Sequence, residues 1–311
     1  MKKLKTLKDI QIPFALTIGN FDGVHLGHKA LIRSIHKKTD SSLPLALLTF
    51  IPHPSEILRP IDQGEDNGFL INTYDQRRDL LEKEGVDYLY EVTFNRDFST
   101  LSPKSFLKNY ILTTNYLKKI FLGYDFAFGA HKKGNHDFVK EYLKNTNVDL
   151  EIMSGTPFKE EMISSSRIRK NISKGKTEEA CELLGREFFM RGEIIKGAGR
   201  GKQIGYPTAN LSYNASLITP SVGVYSTTTH YKGSIYKSVT NVGYNPTFKD
   251  EKVKSIETYI LNFDKDIYGE EIEVKFLKKI RNEFKFSSVS ELISQIARDV
   301  EKRKNQVVGY A

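Results

Sequence analysis

The stretch GNFDGVHLGHKAL, residues 19–31, decides how the first half of this chain folds. The apolar run FALTIG before it is typical of a buried strand, and GHKALIRSIHKK has the spacing of a helix with one apolar face. His25 and His28 therefore stand at a strand-to-helix turn. Because the first N–H groups of a helix are unpaired and carry positive partial charge, such a turn binds phosphate readily. The stretch predicts a phosphate site; two surface histidines at a helix start are the alternative.

Further apolar runs follow in the first half, with helical segments between them. Continuous apolar strands of this kind are typical of a parallel sheet that is covered by helices on both faces. The sequence therefore predicts an α/β fold with a parallel sheet. The expected strands are LPLALLTF (43–50), VDYLYEVTF (86–94), LKKIFLGYDF (117–126) and VDLEIM (148–153), and a second helix is expected in YDQRRDLLEKEG (74–85).

The pattern changes after a short helical segment, KTEEACELLGR (176–186), for which Thr177 is the expected cap. The following segments are rich in β-branched and aromatic residues and predict an antiparallel sheet or barrel. A last helix is expected in SSVSELISQIARDVEKR, with Ser288 and Glu291 as its capping box. We place the boundary between residues 186 and 187, which gives domains 1–186 and 187–311.

Composition limits the class of protein. The chain has 311 residues, enough for two domains, with a formal net charge of +9 and one cysteine, Cys181. The single cysteine, the lack of a signal-peptide pattern and the shortness of every apolar run predict a cytoplasmic protein without membrane spans. The charge fits a nucleic-acid surface, anionic small substrates such as nucleotides, or simply a solvated basic surface.

Three more segments of the first half carry groups suited to phosphate or flavin. TFIPHP (49–54) and GYDFAFGAHKKGN (123–135) end predicted strands, where ligands collect in parallel sheets. ISSSRIR (163–169) places hydroxyls at a helix start with Arg167 and Arg169 behind them. Each has a structural alternative, because PHP also makes a rigid loop and SSSR is an ordinary helix cap.

A second set of polar residues lies in the predicted barrel. The glycine-rich basic loop in KGAGRGKQIGYPTANL (196–211) suits a triphosphate, although it lacks the GK[ST] end of a Walker A motif. Thr208 and Asn210 alternate on a strand and offer the hard oxygen ligands that Mg²⁺ accepts. Glu257 interrupts an otherwise apolar strand. It is either a general base or an edge-strand glutamate that faces water.

Taken in order, these motifs resemble the bacterial bifunctional riboflavin kinase/FAD synthetase family. GNFDGVHLGH is similar to the HxGH turn of the nucleotidylyltransferase superfamily, whereas GRGKQIGYPTANL, NVGYNPTF and ETYILNFDKDIYG resemble the riboflavin kinase module. The resemblance covers nearly the whole chain. It implies a Rossmann-like nucleotidylyltransferase domain followed by a riboflavin kinase-like antiparallel β-barrel with a terminal helix.

The resemblance also implies roles for individual residues. The catalytic residues would be Glu257, as the base that deprotonates riboflavin, and His25 and His28, at the phosphorus that FMN attacks. Nucleotide would be bound by Gly19, Phe21, Gly27, Ser164, Ser165, Arg167, Arg169, Gly197, Gly199, Arg200, Gly201, Lys202 and Thr208. Flavin would be bound by His53, Asp125, Phe126, Phe128, Asn135 and Arg281, and Mg²⁺ by Thr208 and Asn210.

The implied chemistry has two steps. ATP would phosphorylate riboflavin to give FMN and ADP, and a second ATP would adenylylate FMN to give FAD and pyrophosphate. Mg²⁺ would accompany ATP, and no redox cofactor would be permanently bound because the flavin is a substrate. We expect no nucleic-acid or membrane partner, and weak self-association at most. The alternatives are a riboflavin kinase with a weakened adenylyltransferase domain and, from charge alone, a non-enzymatic nucleic-acid-binding protein.

The chain departs from the family pattern at several positions. Ile51 stands where the family has an acidic residue, and Ala127 stands where it has an arginine. A family arginine is replaced by lysine around Lys132 and Lys133, which keeps the charge but loses bidentate geometry. These changes motivate the kinase-only alternative. In the second module, Asn282 replaces the proline of a usual RPE motif and removes a rigid residue from that loop.

Overall fold

The computed structural model describes residues 1–58, 68–197, 199–244 and 254–306. The chain divides into two units, Met1–Asp62 with Tyr74–Ser164, and Gln63–Thr73 with Ser165–Ala311. This division falls earlier than our boundary at residues 186/187, which stays a prediction about the two modules. Within the described ranges, no helix is both long and apolar enough to cross a bilayer.

The first unit is built on a six-stranded sheet in which all neighbouring strands are parallel. Its strands are β1 (Lys2–Leu4), β2 (Phe14–Ile18), β3 (Leu45–Ile51), β4 (Tyr88–Thr93), β5 (Leu117–Gly123) and β6 (Asp149–Met153). Phe14 and Leu16 of β2 join one buried cluster, and Ala15 between them joins another. The sheet is therefore covered on both faces, as the continuous apolar runs predict.

Helices connect these strands. They are α1 (Leu26–Lys38), α2 (Pro54–Leu58), α3 (Tyr74–Lys83), α4 (Arg96–Ser99), α5 (Pro103–Phe106) and α6 (His136–Leu143), and a small ribbon of β7 (Pro157–Phe158) and β8 (Glu161–Met162) follows. The strand order β1-β4-β3-β2-β5-β6 places β2 between β3 and β5. The chain crosses from one side of β2 to the other at this point, so the carboxyl end of β2 is a topological switch point, where open α/β sheets bind ligands.

The second unit contains a closed antiparallel barrel. Its elements are α7 (Ser165–Ser173), α8 (Thr177–Leu184), β9 (Phe188–Ile195), α9 (Arg200–Gln203), β10 (Ala209–Ser212), β11 (Gly223–Tyr231), β12 (Ser234–Tyr244), β13 (Lys254–Ile260), β14 (Glu271–Arg281) and α10 (Val289–Asn305). The strands pair in the order β10-β13-β12-β11-β14-β9, and β9 pairs with β10 to close the barrel. The predicted fold class is confirmed in both halves.

Hydroxyl groups line part of the barrel interior. The Thr227 Oγ1 and Thr258 Oγ1 atoms lie 2.8 and 2.9 Å from the Oγ1 of Thr240, and all three side chains are fully buried. Because side chains alternate along a strand, Glu257 beside Thr258 faces the outside of the barrel. The predicted base is therefore on the outer surface of the barrel rather than in its core.

Two helix ends differ from the sequence prediction. Lys176 occupies the N-cap of α8, and Thr177 is the first helical residue. The buried Thr177 hydroxyl donates instead to the Leu277 carbonyl of β14, at 3.2 Å, because α8 packs on the barrel. At α10, Ser288 caps the helix as predicted by accepting from the Glu291 N–H, but the Glu291 carboxylate accepts from Ser287.

Candidate active sites

The histidine turn follows the carboxyl end of β2. His25 is the N-cap of α1, and its Nδ1 accepts a hydrogen bond from the backbone N–H of His28 at 3.3 Å. This bond leaves the proton of a neutral His25 ring on Nε2. The two imidazole rings stack with centroids 3.6 Å apart and an interplanar angle of 15°. The helix N-terminus therefore holds both predicted histidines as one stacked pair.

Two glycines leave room for these rings. A Cβ on Gly27 would lie 3.1 Å from His25 Nδ1, and a Cβ on Gly19 would lie 3.0 Å from the Phe21 ring. The Phe21 ring is buried and lies 4.7 Å from the His28 ring, centroid to centroid. The four predicted residues Gly19, Phe21, Gly27 and His28 thus lie together with His25 at the switch point of the sheet.

A buried arginine supports this turn, and sequence reasoning missed it. Arg77 of α3 is 2% exposed, and its Nη1 donates to the Asn20 carbonyl at 3.0 Å. The Thr49 hydroxyl donates to the same carbonyl at 3.3 Å, and Arg77 Nη2 lies 3.6 Å from the Glu91 carboxylate. Burial lowers the pKa of Arg77, and the charge of Glu91 opposes this. The sequence did contain a signal for this burial: Arg77 lies four residues before Leu81 and therefore on the same, buried face of α3.

His53 lies just beyond β3 and is buried. Its Nδ1 accepts from the Ser55 N–H at 3.1 Å, and its own backbone N–H donates to Glu56 at 2.9 Å. The Tyr74 hydroxyl donates to the same Glu56 carboxylate. Burial and then this hydrogen bond raise the pKa of Tyr74 well above its usual value. His53 helps to order the start of α2, and its contact with flavin stays a prediction.

The predicted flavin loop after β5 contains both structural and exposed residues. Phe128 is buried, packs 5.2 Å from the Phe106 ring and stacks on Phe126 at 5.3 Å. The Asn135 side chain caps α6 by accepting from the Phe138 N–H at 3.0 Å. Asp125 is exposed. Phe128 and Asn135 therefore shape the loop, and flavin binding by these residues stays a prediction.

The predicted phosphate-binding serines and arginines fall at the start of α7. Ser164 ends the first unit, and Ser165 begins α7 in the second. The Arg169 guanidinium lies 3.6 Å above the Phe69 ring, and its Nε donates to the Phe69 carbonyl at 2.8 Å. Arg167 is partly exposed. In the second unit, then, Arg169 anchors the segment around Phe69, and phosphate binding by Arg167 and Arg169 stays a prediction.

The second site lies on the outer face of the barrel. Asn210 of β10 is the register partner of Glu257 on β13, so their side chains share one face. On the other side of β13, Glu257 is the register partner of Asn241 on β12. Thr208 comes two residues before Asn210 and lies just outside the strand, because β10 begins at Ala209. The predicted base and one predicted metal ligand, Asn210, are therefore neighbours on adjacent strands.

The glycine loop folds onto these ligands. A Cβ on Gly197 would lie 2.3 Å from Asn210 Nδ2, and a Cβ on Gly201 would lie 3.4 Å from Thr208 Oγ1. Gly199 has φ +70°, a left-handed conformation that favours glycine, at the start of α9. Arg200 and Lys202 of α9 are exposed, whereas Ala198 is outside the described residues. Through Gly197 and Gly201 the loop lies close to the two predicted metal ligands.

The donor set at this site fits Mg²⁺ bound together with a nucleotide. A threonine hydroxyl and an asparagine carbonyl are neutral hard ligands, and Mg²⁺ completes such a set with water and phosphate oxygens. Gly197 lies against the Asn210 amide, so the loop that is predicted to bind phosphate also touches a predicted metal ligand. Among the residues that the structure describes, no group of three or more His, Cys, Asp or Glu side chains forms a metal cage.

Arg281, the last residue of β14, is fixed to the terminal helix. Its Nε donates to the Asp299 carboxylate at 2.8 Å, and Asp299 is almost fully buried. The Arg281 guanidinium also lies 4.6 Å from the Phe284 ring centroid. Asp299, a second residue that sequence reasoning missed, is one of two charged residues on the buried face of α10, with Arg303 four residues later. The contact of Arg281 with flavin stays a prediction.

Comparisons with known proteins agree with both halves. Residues 7–167 match the FAD synthetase family, and residues 184–307 match the riboflavin kinase family. A solved structure from Streptococcus pneumoniae, described as a macrolide-efflux protein, is 33% identical with a TM-score of 0.87 and covers 98% of this chain and 99% of its own. That match extends over the whole fold.

Relatives named bifunctional riboflavin kinase/FMN adenylyltransferase match along nearly the full length. The Bacillus subtilis protein is 36% identical over 98% of this chain and 94% of its own. The Listeria monocytogenes protein is 36% identical over 91% of this chain and 89% of its own. The Escherichia coli K12 protein is 34% identical over 91% of this chain and 90% of its own. With both modules matched in order and at this identity, the chain belongs to the bifunctional riboflavin kinase/FMN adenylyltransferase family.

Proposed function

We propose that this protein phosphorylates riboflavin to FMN with ATP and then adenylylates FMN with a second ATP to form FAD. The observation that carries the proposal is the register of Glu257 with Asn210, with the glycine loop folded against Asn210 and Thr208. Family membership and the stacked histidines at the switch point support the second step. Because the bifunctional relatives match across both modules, they favour this proposal over a kinase-only protein and over a nucleic-acid-binding protein.

The kinase step belongs to the barrel. The ribityl 5′-hydroxyl of riboflavin attacks the γ-phosphorus of ATP, and Glu257 accepts its proton. The bond from the γ-phosphorus to the bridging oxygen breaks, and ADP leaves. Gly197, Gly199, Gly201, Arg200 and Lys202 surround the triphosphate and balance its charge. Little covalent chemistry falls to the protein, so alignment and electrostatics supply most of the rate.

The adenylyl step belongs to the histidine turn. A phosphate oxygen of FMN attacks the α-phosphorus of ATP, the bond to the β-phosphate oxygen breaks and pyrophosphate leaves. The Nε2–H of His25 and the ring of His28 stabilise the charge that builds on the phosphorus centre. We assign Ser164, Ser165, Arg167 and Arg169 to the phosphates that depart. His53, Asp125, Phe126, Phe128 and Asn135 would bind the FMN that attacks.

Mg²⁺ is the metal that the barrel site fits, held by Thr208 and Asn210 together with ATP. When bound, it neutralises part of the charge on the phosphates. Flavin enters and leaves as substrate and product, so the proposal includes no resident redox cofactor. We also propose a cytoplasmic location, because both steps consume ATP, and weak self-association at most.

The proposal is tested by incubating the purified protein with riboflavin, ATP and Mg²⁺ and following FMN and FAD by chromatography. FMN is expected first, with FAD following after a lag because FMN is its precursor. A parallel incubation with FMN and ATP isolates the second step. FMN without FAD in both incubations would support the kinase-only alternative, and neither product would overturn the assignment.

A further inference from the structure

We propose that Asn241 binds the polyol chain of the flavin substrate and so places the acceptor hydroxyl on Glu257. This inference rests on the proposed kinase function, and it adds a substrate-selecting residue that sequence reasoning did not single out. The chemistry it recognises is a chain of adjacent hydroxyl groups, as in the ribityl part of riboflavin. Four observations on the barrel face lead to it.

The first observation is the order of side chains across three strands. Asn210, Glu257 and Asn241 are register partners in succession on β10, β13 and β12, so a carboxylate lies between two amides on one face. Neighbouring strands are about 4.8 Å apart, which puts the two amides about 10 Å apart with the base midway. This span suits a phosphoryl donor on one side of the base and an acceptor on the other.

The second observation is that these side chains are not used by the fold. Within the described residues, the side chains of Asn210, Glu257 and Asn241 make no hydrogen bond or ion pair with one another or with any neighbour. All three are partly buried. A row of three partly exposed polar side chains without protein partners offers hydrogen bonds to a ligand.

The third observation fixes which side belongs to the phosphoryl donor. The glycine loop touches Asn210, where a Cβ on Gly197 would lie 2.3 Å from Nδ2, and it also approaches Thr208. The triphosphate and its metal therefore take the β10 side of Glu257. Because an in-line transfer requires the acceptor hydroxyl beside the base and opposite the leaving group, the rest of the acceptor extends toward β12 and Asn241.

The fourth observation is a polar pair on the β12 side. A Cβ on Gly243 would lie 3.1 Å from Asn241 Nδ2 and 3.2 Å from Glu283 Oε1. The lack of a side chain at Gly243 therefore lets the Asn241 amide and the Glu283 carboxylate both lie close to the same backbone position. An amide both donates and accepts, and a carboxylate accepts, so together they match hydroxyl groups on adjacent carbons.

The test measures steady-state riboflavin kinase kinetics of Asn241→Ala and Asn241→Ser with riboflavin and with analogues lacking the 2′-, 3′- or 4′-hydroxyl. Loss of one hydrogen bond is expected to raise the KM for riboflavin about tenfold. The wild type should disfavour at least one deoxy analogue by a similar factor, and the variants should lose that discrimination. The KM for ATP should not change. Ser234→Ala, at the exposed start of β12, is the matched control.

Each outcome decides the matter. Unchanged riboflavin KM with intact discrimination, a raised KM for ATP alone, or a lower kcat without lost discrimination would overturn the role of Asn241. Residual kinase activity with an unchanged KM for ATP in the same variant reports that the barrel is folded, and Asn241→Ser supplies a second variant if alanine is not tolerated. Failure of the proposed function is separate, because the wild-type protein would then form no FMN from riboflavin and ATP, whatever Asn241 does.

Discussion

At the start of α1, the hydrogen bond between His25 and His28 determines which ring nitrogen of a neutral His25 carries the proton. The His28 N–H donates to His25 Nδ1, so a neutral His25 carries its proton on Nε2. Stacking at 3.6 Å holds the His28 ring beside it, and the helix N-terminus adds positive partial charge. A phosphorus centre that approaches this end meets fixed donors, and fixed donors stabilise developing charge without the cost of reorganisation.

His28→Ala should therefore abolish FAD formation while riboflavin is still converted to FMN. Loss of one preorganised donor lowers such rates by about 100-fold or more. Both products are measured by chromatography after incubation with riboflavin and ATP. Lys37→Ala, an exposed residue later in the same helix, is the control and should keep both activities. FAD formation at the wild-type rate in His28→Ala would refute the assignment of the turn.

Glu257→Gln should have the reverse effect. The amide is nearly isosteric but cannot accept the proton of the attacking hydroxyl, so FMN formation should fall by about 100-fold or more, within the range of general-base catalysis. FMN supplied directly should still become FAD. Glu271→Gln, an exposed carboxylate on β14, serves as control. If Glu257→Gln phosphorylates riboflavin normally, the base is a different residue.

At the scale of elements, the glycine loop between β9 and β10 owes its position to close backbone approach. Gly197 lies against the Asn210 amide, and Gly201 lies against the Tyr206 carbonyl, where a Cβ would come within 2.3 Å. The richness of this loop in glycine was visible in the sequence, but the contact of Gly197 with Asn210 was not. It depends on β9 and β10 pairing to close the barrel.

Gly197→Ala tests this contact. The added methyl group would lie 2.3 Å from Asn210 Nδ2, so either the amide or the loop must move. Kinase activity should fall about tenfold or more, as is common when a metal or phosphate ligand is displaced. Adenylylation of FMN should not change. Gln203→Ala, an exposed side chain in α9, is the control, and full kinase activity in Gly197→Ala would argue against a role for this contact.

A second element-scale feature is the ion network that joins β1, α3 and β4. The Glu91 carboxylate of β4 accepts from Arg78 at 2.9 Å and pairs with Lys3 at 2.8 Å, and Arg77 lies behind it. Burial alone would raise the pKa of Glu91, but the hydrogen bonds from Arg78 and Lys3 reverse this and leave its pKa below the usual value. The charged carboxylate is therefore more stable in the fold than in the unfolded chain.

Glu91→Gln should lower the free energy of unfolding by about 3 kcal/mol at pH 7, because it removes the larger of the two carboxylate charges that act on buried Arg77 and leaves only that of Asp22. The pKa of Glu91 is lower in the fold than in the unfolded chain, where it is about 4.3. The charged carboxylate therefore stabilises the fold above that pH, and this stabilisation is lost as the pH falls through the folded-state pKa. The difference between variant and wild type in urea unfolding should thus shrink toward pH 3. The exposed Glu141→Gln is the control, and a difference independent of pH would contradict the network.

For the molecule as a whole, the fold class could be predicted because hydrophobic periodicity and turn residues agree along the chain. β1 was missed because a three-residue strand, Lys2–Leu4, carries no measurable period. The assignment of Gln63–Thr73 to the second unit was also out of reach. It depends on tertiary contacts, such as Arg169 with Phe69 and Arg186 with Asn72, that no local pattern encodes.

The candidate sites divide in the same way. Residues fixed by local geometry, such as His25 at the start of α1, could be predicted from spacing, whereas Thr208 lies one residue before β10 rather than on it. Arg77 and Asn241 could not be predicted, because their relevance comes from register and from neighbours distant in sequence. Thr177 shows the same limit, since its hydroxyl bonds a strand 100 residues away rather than its own helix.

The central claim is that one chain carries two independent sites that act in succession on a flavin. The most direct test mixes purified His28→Ala and Glu257→Gln proteins with riboflavin, ATP and Mg²⁺ and measures FAD. Each variant alone should make FAD from riboflavin about 100-fold more slowly than the wild type, whereas the mixture should make it far faster, because FMN released by the first is adenylylated by the second. FAD formation at the wild-type rate by either variant alone, or no gain in the mixture, would contradict the account.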